Sequence, residues 1–341
     1  MGNNDHFGLD IGTTEVRVVQ LRQSGGNPDL VAYGSAPLPA GLAQSDSPVD
    51  QQKIAEMIKQ LVKDANISTK NTVVGIPSAQ AFATVITIPK LAHQELEKAI
   101  RLQADQYIPM SIDQVKLDWS VVGQGKNDNE MEVLLVAAPN SVVNKYLNIV
   151  ENAGLELESL EINAIALTRS LMPKNTAAIV ILDIGSVYAD IAIIHENAPK
   201  LIRSINIGGA TFIKAVAQSL GLEEGQAEQF TKKFGLTSDK LEGQVLKAIK
   251  PSLDSLIGDL DKSIQFFTSS NEGIKLEKII LTGGTAALPG LPAYLANAIN
   301  IPVMLANPWT QVSYPAAISD QIGNMSPEYA VAIGLAENSM I

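Results

Sequence analysis

A four-residue pattern, Leu-Asp-Ile-Gly, occurs twice in the sequence, at positions 9–12 and again at positions 182–185. Each copy ends one apolar run and precedes a few small residues and a second apolar run, a pattern that predicts a β-hairpin with a tight turn. The two copies lie 173 positions apart in a chain of 341 residues. One copy alone fits an ordinary hairpin, but two copies at half-chain spacing predict two similar halves, each opening on such a hairpin.

The residues at both turns are of the types that hold a phosphate. Each turn combines an aspartate, a glycine and at least one hydroxyl: Asp10, Gly12, Thr13 and Thr14 in the first, and Asp183, Gly185 and Ser186 in the second. A glycine lets backbone amides approach a ligand closely, and consecutive amides with hydroxyl groups can cradle a phosphate. An acidic residue beside such a cradle can hold a hydrated Mg²⁺ ion.

A third glycine-rich segment, Gly283-Gly284-Thr285, follows a predicted strand and precedes a predicted helix. Two adjacent glycines let a flat ring lie against bare backbone, and the start of a helix favours an anion. A close-packed turn without a ligand is the alternative for this segment taken alone. Together with the two hairpins, the segment predicts a nucleotide held between the halves.

Composition excludes several classes of protein. The formal net charge is −11, and no run of lysine or arginine exceeds two consecutive residues, which argues against a nucleic-acid surface or a polybasic membrane patch. The absence of cysteine excludes disulfides and cysteine-ligated zinc and fits a reducing cytosol. No secretory signal is expected, and no apolar run reaches the roughly 18–20 residues of a membrane helix. A location at a membrane would therefore require a partner.

The apolar periodicity predicts the element order β-β-β-α-β for residues 7–76, the order of a ribonuclease-H-like domain with a mixed sheet. Residues 82–154 depart from this order and predict a small βαββα subdomain. The predicted fold is α/β, a duplicated ribonuclease-H-like fold. Residues 1–81 and 155–175 form the first domain, 82–154 the inserted subdomain and 176–341 the second domain.

The hairpins, Gly208-Gly209 and the Gly-Gly-Thr segment resemble the phosphate and adenosine motifs of the actin-like ATPase superfamily, which includes actin, MreB and FtsA. Within it the chain resembles the PilM family of type IV pilus assembly. The segments that carry this resemblance are Ala99–Pro109 with its Tyr-Ile-Pro ending, Leu155–Leu167, and Leu281–Ala306 with the following Asn307-Pro308. The resemblance extends from about residue 7 to residue 336.

The resemblance implies that ATP and Mg²⁺ bind between the two domains. By position, the implied nucleotide-binding residues are Asp10, Gly12, Thr13, Thr14, Asp183, Gly185, Ser186, Gly208, Gly209, Glu228, Lys232, Gly283, Gly284 and Thr285. Asp10 and Asp183 would lie near Mg²⁺, held through water. Glu161 falls where relatives place an acidic residue near the attacking water. A solvated helix face for Glu228 and a strand-end charge for Glu161 are the alternatives that the residues leave open.

The resemblance also implies a partner. Members of this family bind the short cytoplasmic tail of PilN, an inner-membrane protein, in a groove beside the inserted subdomain, expected here near residues 93–108. The expected location is therefore cytoplasmic and peripheral at the inner membrane, without direct membrane insertion. Self-association is a further expectation.

Three departures from the pattern bear on hydrolysis. Val187 and Tyr188 stand where relatives with a strong second phosphate loop carry small residues, and Thr231 replaces a basic residue three positions after Glu228, with Lys232 one step later. ATP binding with weak or absent hydrolysis is the expectation.

Two other functions stay open at this point. An FtsA- or MreB-like filament or division protein is the first, although FtsA-like chains usually end in a basic amphipathic helix and this sequence ends Glu-Asn-Ser-Met-Ile at 337–341. A small-molecule kinase of the same superfamily is the second. Against it, the chain is short beside the large sugar kinases.

Overall fold

The computed structural model describes residues 6–125, 127–172 and 177–338. The predicted boundary between residues 175 and 176 lies outside these residues. In the first half the elements are β1 Phe7–Ile11, β2 Glu15–Arg22, β3 Asp29–Pro37, α1 Pro48–Asp64, β4 Asn71–Ile76, β5 Phe82–Pro89, α2 His93–Tyr107, β6 Val115–Gln124, β7 Glu130–Pro139, α3 Asn140–Asn152, β8 Glu156–Ile162 and α4 Asn163–Leu171. In the second half they are β9 Ala178–Ile184, β10 Ala189–His195, β11 Ala198–Ile205, α5 Gly209–Leu220, α6 Glu224–Phe234, α7 Gln244–Ser270, β12 Leu276–Thr282, α8 Leu291–Ile299, β13 Val303–Leu305, α9 Ser319–Asn324 and α10 Ala330–Ala336.

Two five-stranded sheets share one topology. The first has the order β3-β2-β1-β4-β8 and the second the order β11-β10-β9-β12-β13. In each, the first three strands in sequence are antiparallel and the next two join in parallel. The hairpin of the repeated sequence pattern forms the centre of each sheet. The predicted duplicated ribonuclease-H-like fold is confirmed.

Helices α4 and α10 lie between the two sheets. Helix α10 is apolar on every side, and each of its residues is buried, as expected for a helix enclosed in a core. The two helices meet backbone to backbone, because a Cβ atom at Gly334 would lie only 1.9 Å from the carbonyl oxygen of Ala166. Their apolar side chains join residues of both sheets in one core, which fixes the two sheets relative to each other.

A third sheet of three strands, in the order β5-β7-β6, carries helix α2 on one face. The buried residues Ile100 and Ala104 of α2 pack on Val133 and Leu135 of the sheet. The predicted βαββα order is present, but the last helix, α3, packs elsewhere. Its buried residues join the core of the first sheet together with α1, and the assignment of residues 82–154 to one subdomain stays a prediction.

None of the helices in the described residues is both long enough and apolar enough to cross a membrane.

Candidate functional site

The two repeated turns have the same local geometry. The Gly12 N–H donates to the carbonyl of Glu15 at 3.0 Å, and the Gly185 N–H donates to the carbonyl of Tyr188 at 2.9 Å. Both turns line one cleft between the sheets, with a volume of about 510 Å³. That volume lies within the usual range of small-molecule sites, roughly 300–1,000 Å³. The cleft that the duplicated pattern predicted is therefore present in the structure.

Most of the predicted nucleotide residues line this cleft. They are Asp10, Gly12, Thr13, Thr14, Asp183, Gly185, Ser186, Gly209, Glu228, Lys232, Gly283, Gly284 and Thr285. Gly208 lies behind the second turn, where a Cβ atom would come within 2.5 Å of the carbonyl oxygen of Ser186. Val187 and Tyr188 also line the cleft, so the bulky residues noted in the sequence do face the expected phosphate region.

Glu161 is not among the residues that line the cleft. Its carboxylate accepts two hydrogen bonds from Arg169, at 2.9 and 3.1 Å, and one from Asn338 at 2.7 Å. The structure therefore engages this carboxylate outside the cleft, and its expected role near the attacking water stays a prediction. The polar side chain that this strand–helix junction supplies to the cleft is Asn163, whose buried Oδ1 atom accepts no hydrogen bond from the described residues.

The carboxyl groups of Asp10 and Asp183 are shielded from water and lie near other charged side chains. Burial raises the pKa of Asp10 to about 6, although the Arg17 guanidinium lowers it. Burial and the nearby carboxylates of Asp190 and Asp10 together raise the pKa of Asp183 to about 8, against a lowering effect of Arg17. Nothing in the described part of the chain forms an ion pair with Asp10 or Asp183, since Arg17 pairs with Glu15 and Glu328. Bringing a cation to this point would relieve the repulsion.

These residues fit a hydrated Mg²⁺ ion. The described residues contain no group of three or more His, Cys, Asp or Glu side chains placed to hold a metal ion. Mg²⁺ usually keeps several waters and binds through one or two carboxylates together with substrate phosphates. Asp10 and Asp183, two unpaired carboxylates beside glycine-rich turns, are a donor set of that kind.

Arg17 is a cleft residue that the sequence analysis missed. It lies directly opposite Asp10 in the β1–β2 register, and its side chain is largely buried between Glu15 and Glu328. Its pKa is raised by the acidic residues Asp10, Glu15 and Glu328 even though burial opposes this, so the guanidinium stays charged. The sequence did contain a signal for Arg17, because it stands between Val16 and Val18 in a predicted buried strand. A charged side chain in such a position is rarely buried without a partner.

The Gly-Gly-Thr segment closes the other side of the cleft. Gly283 has a φ of +90°, and a Cβ atom there would lie 2.2 Å from Asp183 Oδ1, so glycine is required for backbone and space alike. The Thr285 hydroxyl donates to the carbonyl of Gly185 at 3.0 Å, which ties this segment to the second turn. Gly284 differs, because a Cβ atom there meets nothing within 4 Å.

That open space makes Gly284→Val a specific probe of the cleft. We expect the variant to fold normally, because the added side chain enters open space. We expect it to weaken ATP binding at least about tenfold, because the branched side chain occupies the surface on which a base would lie. Calorimetry with ATP and Mg²⁺ measures the effect. Gly225→Val is the control, since Gly225 is equally open but lies outside the cleft; equal binding by both variants would contradict the prediction.

The rim of the cleft carries an ion pair. Glu228 and Lys232 of α6 lie 2.7 Å apart on successive turns of the helix, and both are substantially exposed. In water such a pair stabilises the helix by only about 0.3–0.5 kcal/mol. Both side chains therefore remain available to a ligand at little cost.

Comparisons with known proteins agree with this arrangement. The family model described as type IV pilus assembly protein PilM matches residues 8–340. A solved structure described as a PilM–PilN type IV pilus biogenesis complex is 26% identical, with a TM-score of 0.87 and 99% of each chain covered. MreB5 of Spiroplasma citri bound to AMPPNP shares the fold at 15% identity and a TM-score of 0.55, over 98% of this chain and 95% of that one.

A curated relative, the cell division protein FtsA of Enterococcus hirae, is 24% identical over 98% of this chain and 83% of its own length. The full-length family match includes both repeated turns, the third sheet and the Gly-Gly-Thr segment. The chain belongs to the PilM family of type IV pilus assembly proteins.

Proposed function

We propose that this protein is an ATP-binding scaffold of the type IV pilus assembly platform, held at the inner membrane by the tail of a PilN-like protein. The observation that carries the nucleotide part is the meeting of both Asp-Ile-Gly turns, the Gly-Gly-Thr segment and Arg17 around one cleft. The solved MreB5 structure with AMPPNP, which has the same fold, supports the choice of ligand.

The backbone amides and hydroxyls of the two turns would hold the phosphates, and Asp10 and Asp183 would hold Mg²⁺ through water. The bound metal ion would supply charge neutralisation to the phosphates and to the two aspartates. Arg17 forms ion pairs with Glu15, which directly follows the first turn, and with Glu328, and so holds the first turn next to Glu328.

Binding without efficient hydrolysis is part of the proposal. Hydrolysis needs a group that orients the attacking water, as well as a cradle for the phosphates. Glu161 is engaged by Arg169 and Asn338, and Val187 and Tyr188 face the cleft near the second turn. We therefore expect slow release of phosphate at saturating ATP, with a rate that Glu161→Gln leaves unchanged within about twofold.

The proposed groove for the partner tail is a second cavity of about 840 Å³, lined by β6, α4 and the turn between β10 and β11. It lies beside the third sheet, as expected for this family, although along β6 and not along α2. Apolar residues Val121, Leu134, Ile165 and Met172 line its walls. An extended peptide can place alternate side chains into such a groove and so dock a membrane protein on this chain. The solved PilM–PilN complex supports a PilN-like partner.

Calorimetric titration tests both parts separately. We expect binding of ATP with Mg²⁺, and binding of a synthetic peptide that spans the cytoplasmic tail of a PilN-like protein from the same organism. Val121→Asp, in the groove wall, should abolish peptide binding and leave ATP binding unchanged. Loss of both, or peptide binding that tolerates the aspartate, would argue against the assignment of the groove.

A further inference from the structure

Helix α10 ends with a buried acid that has no role in the nucleotide cleft. Glu337 is only 6% exposed, and its Oε2 atom accepts no hydrogen bond from any described residue. The same residue lines the second cavity. A buried carboxylate oxygen without a partner costs free energy, because it has lost its water and gained nothing in exchange. Such an atom in the wall of a cavity is a vacant hydrogen-bond acceptor.

The neighbouring charges do not satisfy it. Arg169 of α4 acts on Glu337 through its charge, but its guanidinium is already bound to Glu161 of β8 and to the carbonyl of Gly334. Its charge lowers the pKa of Glu337, while burial has the larger effect and raises that pKa to about 7. Glu196, in the turn between β10 and β11, adds a second, exposed carboxylate to the same cavity.

We infer that Glu337 selects the ligand of this groove by accepting a hydrogen bond from one N–H donor of the bound segment. The inference rests on the proposed function, because it takes the cavity as the groove for an extended peptide. The other residues that line the cavity indicate what surrounds this donor in the bound segment. Apolar residues of β6 and α4 line the same cavity as Glu337, so the segment should carry its donor together with apolar side chains.

Glu337→Met is the main test, because methionine fills a similar volume without an acceptor. We expect the variant to bind the tail peptide roughly 10- to 100-fold more weakly, the range for a hydrogen bond to a charged group. We also expect the ligand-free variant to be at least as stable as the parent, because an unpartnered buried acid has been removed. If Glu337 instead stabilised the fold, Glu337→Met would be less stable than the parent.

Glu196→Met is the matched control, since it removes an exposed carboxylate from the same cavity; peptide binding should change less than threefold. Glu337→Gln keeps a neutral acceptor but loses the charge, so its affinity at pH 8 should fall between those of the parent and Glu337→Met. It should also remove the loss of affinity that the parent shows as pH falls from 8 to 6, where Glu337 takes up a proton. Arg169 and Glu161 are unchanged in this comparison, so they cannot produce the difference.

A series of alanine substitutions in the peptide, each paired with Glu337→Met, identifies the donor. At one peptide position, alanine should weaken binding to the parent protein but not to Glu337→Met, and the side chain at that position is the donor. If every alanine substitution weakens binding equally in both proteins, and Glu337→Met still binds the parent peptide weakly, the donor is a backbone N–H. Peptide affinity unchanged within twofold in Glu337→Met overturns the inference and leaves the groove assignment standing. Absence of any binding to the parent chain overturns both.

Discussion

Replacement of Asp183 by asparagine is expected to lower the affinity for ATP in the presence of Mg²⁺ by roughly 10- to 100-fold, the usual cost of losing a group that holds a metal through water. Without Mg²⁺, the two proteins should differ little. The same change should stabilise the ligand-free protein at pH 8. In the folded chain the pKa of Asp183 is raised to about 8, far above its usual value near 4. Ionising this carboxyl in the folded state therefore costs free energy.

The sign of the pH dependence follows from that shift. Stability due to the protonated carboxyl is complete below pH 4 and is lost as the pH rises to about 8, because the unfolded chain releases its proton first. Asp10, with a pKa raised to about 6, adds a smaller loss over the lower part of this range. Asp183 is only partly buried, so we expect a gain of about 1–3 kcal/mol for Asp183→Asn at pH 8. Mg²⁺ with ATP should offset the same penalty in the parent protein.

Urea denaturation at pH 5 and pH 8, with and without ligand, measures this effect. Asp239→Asn serves as the control, because Asp239 is exposed and does not line the cleft. Equal stability of parent and Asp183→Asn at pH 8 would show that the aspartate is not under strain in the ligand-free state. Undiminished dependence of ATP binding on Mg²⁺ would show that it does not hold the metal.

A lysine that joins the third sheet to the second half should give the largest loss of stability. Lys200 of β11 is 8% exposed, and its Nζ atom lies 2.6 Å from Glu132 of β7 and 3.2 Å from the carbonyl oxygen of Val122 on β6. Lys200→Met leaves the largely buried carboxylate of Glu132 without its partner. We expect a loss of about 2–4 kcal/mol, because breaking a buried ion pair strands a charge.

A second substitution separates the stranded charge from simple loss of packing. Lys200→Met combined with Glu132→Met should recover most of the stability, because apolar replacement of a whole buried pair is often neutral. Lys250→Met is the control, since Lys250 pairs with Asp254 on the helix surface and should cost less than about 0.5 kcal/mol. Hydrogen exchange should quicken in β6 and β7 and stay unchanged in β9. A loss below 1 kcal/mol in the single variant would contradict the prediction.

Much of the fold could be predicted because its signals are local. The repeated Leu-Asp-Ile-Gly turns need only a glycine, small hydroxyl residues and flanking apolar runs, and both formed with the same hydrogen bond. The strand order then followed from known connection rules, and the family resemblance was confirmed by the match over residues 8–340. The sequence did not show which surface α3 covers, because an amphipathic helix of this kind fits either of two neighbouring apolar surfaces, and the boundary at residue 154 stays a prediction.

The sequence by itself determined the two halves, the hairpin at the centre of each, and the glycine-rich segments that line the cleft, because backbone conformation and apolar periodicity are properties of short stretches. Only the tertiary structure decided which charges meet. It turned Glu161 toward Arg169, placed Arg17 beside Asp10, and buried the Oε2 atom of Glu337 at a second cavity with no hydrogen bond from the residues that the structure describes. Those outcomes depend on side chains that lie far apart in the chain, and burial, which sets the energy of every charge, exists only after the elements have packed.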